Sequence, residues 1–404
     1  MKRLVLLGGG HAHVFVLRAL ERQRLSVAEV LLVTPSALQV YSGMVPGLVA
    51  GHYAAAQCSI ALAPLAAAAG VRLVEAQAVG LDAAARAVKL SDGRVAEYDA
   101  LSIDTGAVQH RDTLPGAREH GLFVRPMEHF MRLQAALPDL AAQRVLDVVV
   151  LGGGAAGFEL ALALEYRLNG GAHARAHAHA HAHAHAAAAA AATATEQRAR
   201  VALVTGGPEP LAGYPDAVLK AAARVLASRR ITVFRETAAA VEARAVVLAS
   251  GARLASDVSV IATGAQAPAW LAGSGLALCE RGFIRTGPTL QSVSHPEIFA
   301  AGDVSARDDA PHPRSGVYAV RAGPPLAENL RRFVGGGALL PYRPQARTLN
   351  LLSCGSRRAI AVWGAWSLDE RWFGRAAWWW KDRIDRAFIA RFTLPQNILQ
   401  GPSA

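Results

Sequence analysis

With 404 residues, of which 52% are hydrophobic, the chain is long enough for about two or three domains and too apolar to be disordered throughout. The formal net charge is +11, but residues 331–404 hold twelve Lys and Arg against four Asp and Glu, which indicates a basic C-terminal surface and not a nucleic-acid-binding protein. Three dispersed cysteines, Cys58, Cys279 and Cys354, form no CxxC motif and no metal spacing, so we expect free thiols in a reducing cytoplasm.

The first predicted elements are an apolar strand at residues 4–7, a turn of three glycines at 8–10 and a helix that begins near His11. Glycine permits a tight turn, and the free N–H groups at the start of a helix attract phosphate. This pattern is typical of the phosphate-binding turn of a dinucleotide fold, although His13 stands where the G-x-G-x-x-G fingerprint has its third glycine. The next predicted strand ends at Thr34, where such folds usually place an acid for the adenosine ribose.

Loops and short strands are predicted next. Residues 41–47 contain two glycines and a proline and are predicted to form a compact loop. Four apolar stretches then have the turn-separated pattern of a β-meander, with a hairpin turn at 91–93. These stretches are residues 71–74, 76–81, 87–90 and 94–98.

A second strand, turn and helix strengthen the dinucleotide hypothesis. Residues 147–151 are mostly apolar, and a complete fingerprint follows at Gly152, Gly154 and Gly157, before a predicted helix at 158–164. Two such units about a domain apart predict two bound dinucleotides.

A low-complexity tract at residues 172–195 alternates Ala and His and then becomes a run of alanines. Imidazoles at alternating positions suit zinc, nickel or copper. A low-complexity expansion in a surface loop needs no function and is the favoured interpretation, so we predict no resident metal ion.

Further strand-like segments end in Thr-Gly at residues 105–106 and 263–264, and another runs from 297 to 301 into Gly302 and Asp303. With the two glycine fingerprints, this order of motifs resembles the pyridine nucleotide-disulfide oxidoreductase superfamily of flavoproteins, in its type II NADH dehydrogenase branch. The resemblance covers most of the chain.

The resemblance implies an α/β fold with two Rossmann-like dinucleotide-binding domains, each a three-layer ββα arrangement, followed by a C-terminal α+β segment. It implies a discontinuous FAD-binding domain, residues 1–106 and 263–335, interrupted by an NAD(P)H-binding domain, residues 107–262. The basic, aromatic C-terminal segment is residues 336–404.

The implied cofactors are FAD and NAD(P)H. Asp303 is expected to accept a hydrogen bond from the ribityl chain of FAD, and the helix after residue 313 is expected to aim its N-terminus at the flavin's pyrimidine end. The cofactor-binding candidates are Gly8, Gly10, His11, Ser42, Met44, Pro46, Val79, Thr105, Gly106, Gly152, Gly154, Gly157, Thr205, Gly206, Thr263, Gly264, Gly302, Asp303, Val317 and Tyr318.

The nicotinamide preference stays open. The strand at 201–204 ends at Thr205 without an acid, and Arg198 and Arg200 precede that strand, so neither NADH nor NADPH is favoured.

Glu159 is the candidate catalytic residue, because an acid at the matching place in type II NADH dehydrogenases lies near nicotinamide and flavin. A solvated helix acid is the alternative. The loop at 41–47 lacks the cysteine pair of the disulfide reductases, which argues against a dithiol relay. Val317, Arg321 and Ala322 stand where the family branch has three glutamines, which leaves the quinone pocket in question.

The tail at residues 371–392 carries Trp and Phe at helical spacing beside basic residues, a pattern typical of a helix at a membrane interface. Packing on the body or across a homodimer is the alternative. We find no signal peptide and no run near the roughly 20 apolar residues of a membrane span, so we expect a cytoplasmic protein, peripheral on the inner face of the cell membrane if the tail binds lipid.

These patterns predict an enzyme in which NAD(P)H reduces FAD and the flavin passes electrons to an acceptor, with a quinone favoured. One alternative is a sulfide:quinone-type chalcogen oxidoreductase, for which Cys354 is a candidate thiol. Another is a non-catalytic flavin-binding partner in selenium metabolism, because the motifs are also similar to the FAD module found fused to selenide, water dikinase.

Overall fold

The computed structural model describes residues 2–25, 28–182 and 197–393. In the His/Ala tract, the backbone continues a helix to residue 182, and residues 183–195 lie outside the described part. The hypothesis of a metal-binding tract therefore concerns side chains outside the described set.

Strands and helices are both distributed along the described residues, with several runs of successive strands. The strands are β1 (Lys2–Leu7), β2 (Ala28–Thr34), β3 (Leu38–Val40), β4 (Ser59–Ala61), β5 (Arg72–Glu75), β6 (Ala78–Asp82), β7 (Ala87–Leu90), β8 (Val95–Glu97), β9 (Ala100–Ile103), β10 (Gly121–Phe123), β11 (Leu146–Leu151), β12 (Ala199–Val204), β13 (Thr232–Phe234), β14 (Ala238–Glu242), β15 (Ala245–Leu248), β16 (Arg253–Ala255), β17 (Val258–Ile261), β18 (Ile284–Thr286), β19 (Ile298–Ala300), β20 (Ser305–Arg307), β21 (Leu349–Ser353), β22 (Ala359–Trp363) and β23 (Trp366–Leu368). The helices are α1 (His11–Arg22), α2 (Val45–Val49), α3 (Leu62–Ala68), α4 (Ala117–His120), α5 (Met127–Gln134), α6 (Leu137–Gln143), α7 (Ala155–Ala182), α8 (Asp216–Ser228), α9 (Gly316–Gly335) and α10 (Glu370–Phe392). Short 3-10 turns lie at Ser42–Met44, Ala55–Cys58, Ala269–Leu271 and Gly302–Val304.

Two five-stranded parallel sheets form the framework. The first has the strand order β19-β9-β1-β2-β5 and the second the order β10-β17-β11-β12-β13. The strands before the two glycine turns, β1 and β11, hold the same central place in their sheets. The structure thus confirms the predicted α/β class with two Rossmann-like cores.

Both faces of the first sheet are covered, which explains why its strands are apolar throughout. Leu4 and Leu6 point into a cluster with α1, α9 and α10, whereas Val5 and Leu7 point into a cluster with β7 and β8. Side chains alternate in direction along a strand, so β1 contributes to both clusters.

A three-stranded antiparallel sheet accompanies each parallel sheet: β6-β7-β8 and β14-β15-β16. One detail of the predicted β-meander is wrong. Its first stretch forms β5, which pairs in parallel with β2 at the edge of the first sheet. A short apolar strand carries no sign of its partner, because pairing is decided by the fold and not by the local sequence.

The C-terminal segment returns to the N-terminal part of the chain. Strands β21, β22 and β23 form an antiparallel sheet, and α10 packs along β22 and back against the first core. Helix α10 begins at Asp369, whose carboxylate accepts the N–H of Arg371 at 2.9 Å. Of the helices that the structure describes, none is long and apolar enough to cross a membrane.

Candidate active site

The first glycine turn lies directly against the end of β9. Gly8 has φ +96°, and a Cβ atom on Gly8 or Gly10 would collide with Asp104. Gly302 also leaves room for Asp104, because its Cβ would lie 2.7 Å from Asp104 Oδ1. Gly10 and Gly302, which the sequence assigns to a cofactor, therefore also accommodate the Asp104 carboxylate, and Gly8 accommodates the Asp104 backbone.

Asp104 is a site residue that the sequence analysis missed. Its side chain is 3% exposed, and Oδ2 accepts the N–H groups of Ala12 at 2.7 Å and His13 at 3.0 Å, in the first turn of α1. Burial raises the pKa of Asp104 to about 7, and the nearby Asp303 carboxylate acts in the same direction. The sequence signal that could have identified Asp104 is an acid at the end of a buried parallel strand.

His13 explains how the first turn works without its third glycine. Nδ1 lies 2.6 Å from the Gly8 carbonyl oxygen and Nε2 lies 2.8 Å from Ser102 Oγ. Burial lowers the pKa of His13 to about 4, so the ring is neutral. A neutral ring satisfies both contacts when Nδ1–H donates to Gly8 and Nε2 accepts from Ser102, which ties the turn to the sheet.

Asp303, at the turn after β19, forms an ion pair with Arg125. The Arg125 guanidinium donates to Asp303 Oδ2 and to the Ala107 carbonyl, each at 3.0 Å. Arg125 lies between β10 and α5, in the segment predicted to belong to the other dinucleotide domain. Sequence reasoning missed Arg125, because no motif surrounds it.

The loop at 41–47 lies under α10. Lys381 on α10 donates to the Gly43 carbonyl at 2.5 Å and to Asp385 Oδ2 at 2.6 Å. Tyr41 hydrogen-bonds to Asp385 through its hydroxyl and stacks on Phe388 at 4.3 Å between ring centroids. The described loop residues therefore contact a helix more than 300 residues later in the chain.

Four predicted site residues lie in this loop or beside it. His11 packs edge-on against the Tyr41 ring at 5.5 Å, and burial lowers the pKa of His11 to about 4. Met44 and Pro46 are buried, and Ser42 is half-buried.

Glu159, in the second turn of α7, is not a freely solvated helix acid. Its Oε1 accepts the N–H of Ser353 at 2.7 Å, in the strand β21. Burial raises the pKa of Glu159 to about 7, while the Lys381 ammonium lowers it. Glu159 therefore lies where α7, β21 and α10 meet.

The second glycine turn has the geometry of a complete fingerprint. Gly152 has φ +130°, and a Cβ there would meet the Ala262 carbonyl oxygen. A Cβ on Gly157 would meet the Gly152 carbonyl oxygen, so α7 packs closely on its own turn. Gly154 faces open space, which leaves its backbone accessible to a ligand.

The remaining predicted residues are spread along the rims of the two sheets. Gly106, Gly206 and Gly264 face open space, as expected where backbone approaches a ligand. Thr205 is buried at the end of β12, and Thr263 follows β17. Val79 is 52% exposed on β6.

Two more candidates lie at the start of α9. Val317 is 37% exposed, and the Tyr318 ring stacks on His312 with 4.2 Å between centroids.

The end of β9 beside the first turn fits FAD on two observations. Gly106 has open space where a Cβ would lie, and the buried Thr105 Oγ1 has no hydrogen-bond partner among the described residues. A bound ligand with polar groups at the end of β9 would satisfy that hydroxyl.

The cysteines do not favour thiol chemistry. Cys58 and Cys354 are buried, and burial raises the pKa of each thiol to about 12. Protonated thiols are poor nucleophiles, which weakens the sulfide:quinone alternative. Among the described side chains, no group of three or more His, Cys, Asp or Glu is placed to hold a metal ion.

Two parallel sheets, each with a glycine turn after its central strand, and an acid that follows β19 define a class of flavoprotein oxidoreductases with two dinucleotide folds. Residues 2–323 match the pyridine nucleotide-disulphide oxidoreductase family. The chain belongs to this family, and it is an FAD-dependent NAD(P)H oxidoreductase. The alternative of a non-catalytic flavin-binding partner is therefore not supported.

Proteins of similar sequence are consistent with this assignment. The chain is 29% identical over 318 residues to an NADH dehydrogenase-like protein of Mycobacterium tuberculosis, covering 76% of this chain and 73% of that protein. It is 24% identical over 359 residues to the demethylphylloquinone reductase of Synechocystis, covering 85% and 82% of the two chains.

Solved structures share the fold. NDH2 of Plasmodium falciparum, solved with NADH, superposes with a TM-score of 0.76 at 12% identity, covering 97% of both chains. The sulfide:quinone oxidoreductase of Aquifex aeolicus superposes with a TM-score of 0.75 at 18% identity, covering 97% of this chain and 91% of the other.

Proposed function

We propose that the protein is an NAD(P)H:quinone oxidoreductase whose acceptor reacts at the junction of residues 41–47, α7 and α10. The observation that carries this proposal is the convergence there of Glu159 and Lys381 over the predicted flavin loop. The similarity to a demethylphylloquinone reductase supports a quinone as the acceptor.

The proposal includes the arrangement of domains. We infer that residues 1–106 and 263–335 bind FAD and that residues 107–262 bind NAD(P)H through Gly152, Gly154 and Gly157. The titration described below determines whether the protein prefers NADH or NADPH, because β12 ends without an acid and its sequence favours neither.

Reduction of a quinone to a quinol consumes two electrons and two protons. FAD, when bound, takes hydride from the nicotinamide and supplies the two electrons. Glu159 is suited to hold a proton at Oε2 near neutral pH, because burial raises its pKa to about 7. The Lys381 side chain is 12% exposed. Its positive charge lies at the loop of residues 41–47, where it stabilises negative charge that develops on the acceptor.

An anaerobic titration tests the function. The visible spectrum of the purified holoprotein is recorded during addition of NADH, then NADPH, then a soluble quinone. We expect one nucleotide to bleach the flavin and the quinone to restore its colour at a rate compatible with turnover. A nucleotide-reduced flavin that quinone does not reoxidise would refute the choice of acceptor.

We also propose that α10 and β23 bind a membrane surface. Trp366, Trp372 and Trp379 are 78%, 79% and 61% exposed. Arg371 and Arg375 lie between them in sequence, and Arg383 follows. Aromatic side chains beside basic ones suit an interface with anionic lipid, where a membrane quinone is reached. A homodimer through the same face is the competing outcome, and sedimentation of the free protein distinguishes the two.

A further inference from the structure

Two segments of the chain cross between the two parallel sheets. The first crossing, residues 107–110, follows β9, and the second crossing, residues 262–267, follows β17. Their backbones pair at one point, where Val108 and Gln266 exchange hydrogen bonds of 2.9 and 2.8 Å. One such pair is too little to hold a two-stranded ribbon rigidly, so the firmness of the crossings depends on side-chain contacts.

The Gln109 side chain, on the first crossing, holds the start of the second crossing. Its amide nitrogen donates to the carbonyl oxygens of Ile261 at 3.0 Å and Thr263 at 3.2 Å. These two carbonyls flank Ala262, whose own carbonyl oxygen lies so close to Gly152 that a Cβ atom on that glycine would collide with it. Gln109 therefore fixes the second crossing where it passes the second glycine turn.

The same amide group also contacts a third segment. Gln109 Oε1 accepts the backbone N–H of Arg125 at 3.0 Å, between β10 and α5. At the next position, the N–H of His110 donates to Gln266 Oε1 at 2.8 Å, and His110 Nε2 lies 2.9 Å from the Ala267 carbonyl oxygen. Because a primary amide both donates and accepts, a glutamine at position 109 can connect three backbone segments at once.

We propose that Gln109 is a positioning residue for hydride transfer from NAD(P)H to FAD. The hydride carries both electrons from C4 of the nicotinamide to N5 of the flavin, and such a step is steeply sensitive to the distance between the two atoms. Gln109 sets that distance by locking the two crossings between the segments that bind the two dinucleotides. This inference rests on the proposed arrangement of domains and is independent of the quinone acceptor.

Rapid anaerobic mixing of the oxidised holoprotein with nucleotide separates positioning from binding. The nucleotide is NADH or NADPH, whichever reduces the wild type. The limiting rate of flavin bleaching should fall roughly ten- to hundredfold in Gln109→Ala, because a misplacement of about 1 Å has an effect of that size. The dissociation constant of the nucleotide should change less than about threefold, since the second glycine turn keeps its residues.

Gln109→Glu tests the two donated hydrogen bonds at nearly constant side-chain size. A carboxylate still accepts the Arg125 N–H but cannot donate to either carbonyl, so the limiting rate should fall as in Gln109→Ala. Hydrogen exchange of the oxidised holoprotein, followed by mass spectrometry, gives a readout that needs no turnover. Backbone amides of both crossings should exchange at least about tenfold faster in the two variants than in the wild type.

Gln291→Ala is the matched control, because this glutamine also donates and accepts but lies outside both crossings. Its Nε2 donates to the Pro296 carbonyl, and its Oε1 accepts from Thr289 Oγ1 at 2.8 Å. The limiting rate and the exchange of both crossings should stay at the wild-type values in this variant.

The outcomes separate this inference from the proposed function. An unchanged limiting rate in either Gln109 variant, while the wild-type flavin is reduced, would overturn the positioning role of Gln109 alone. A wild-type flavin that neither nucleotide reduces would overturn the proposed function and this inference together.

Discussion

His13 shows how one residue can replace a glycine of a fingerprint. The ring fills the space beside the turn and makes two hydrogen bonds, to Gly8 and Ser102. We expect His13→Ala to lower the free energy of unfolding by about 2–4 kcal/mol, because it leaves a cavity and an unpaired Ser102 hydroxyl. Urea unfolding at saturating FAD measures the loss, and Ser102→Ala, which removes one hydrogen bond, should cost about 1 kcal/mol.

The pH dependence of stability provides a second test of His13. Its pKa is about 4 in the fold and near 6.5 when unfolded, so the unfolded chain binds more protons between these values. This contribution is therefore present above pH 6.5 and is lost as pH falls towards 4. The stability difference between wild type and His13→Ala should shrink over that window. A difference that stays constant would mean that the ring is not kept neutral.

Glu159 is the residue on which catalysis is predicted to depend. Glu159→Gln keeps an oxygen for the Ser353 N–H but cannot exchange a proton, so turnover should fall at least tenfold while FAD content stays unchanged. The wild-type pH profile should inflect near 7, where Glu159 titrates, and the variant should lose that inflection. Steady-state kinetics between pH 5.5 and 8.5 measure the turnover and its pH profile. Glu242→Gln is the control, because Glu242 lies on β14 with a side chain that is 42% exposed and pairs with Arg253.

At the scale of elements, α10 has a buried ion pair on its inner face. Lys381 and Asp385 are 12% and 6% exposed in their side chains, and Asp385 also accepts from Tyr41. We expect Lys381→Met to cost about 3 kcal/mol or more, because it leaves a buried charge unpaired. Arg386→Met removes an exposed pair with Asp382 on the same helix and should cost less than about 1 kcal/mol. Equal losses in urea unfolding would contradict this account of α10.

The sequence predicted which segments form helices and glycine turns better than it predicted which segments contact one another. The helix at 371–392 and both glycine turns were readable from local patterns, because spacing and glycine content report local geometry. The contacts of α10 with Tyr41 and Gly43 were not, since they join residues more than 300 positions apart. Contacts between distant positions also explain the misplaced stretch at 71–74 and the missed Arg125 and Asp104. Arg72 pairs with Leu31, Arg125 with Asp303 and Asp104 with Ala12, and no local pattern reports such contacts.

At the scale of the molecule, the outer face of α10 is the proposed membrane contact. We expect Trp372→Ser with Trp379→Ser to lower partition onto phosphatidylglycerol-rich vesicles at least tenfold, because both rings are exposed. Leu140→Ser, an exposed apolar residue of α6, is the matched control. Co-sedimentation at low and high salt measures binding. Equal partition of wild type and double variant would exclude this face as the membrane contact.

The contact between the last described helix and the first one has a consequence for biosynthesis. Phe392 packs edge-on against Phe15 at 4.9 Å, and Phe388 covers Tyr41. A ribosome produces the chain from the N-terminus, so the nascent first domain exposes this aromatic surface until α10 leaves the exit tunnel. Packing of residues 41–47 against α10 can therefore be completed only after α10 has been synthesised, and we expect a chain that stops before residue 370 to aggregate more readily than one that includes α10.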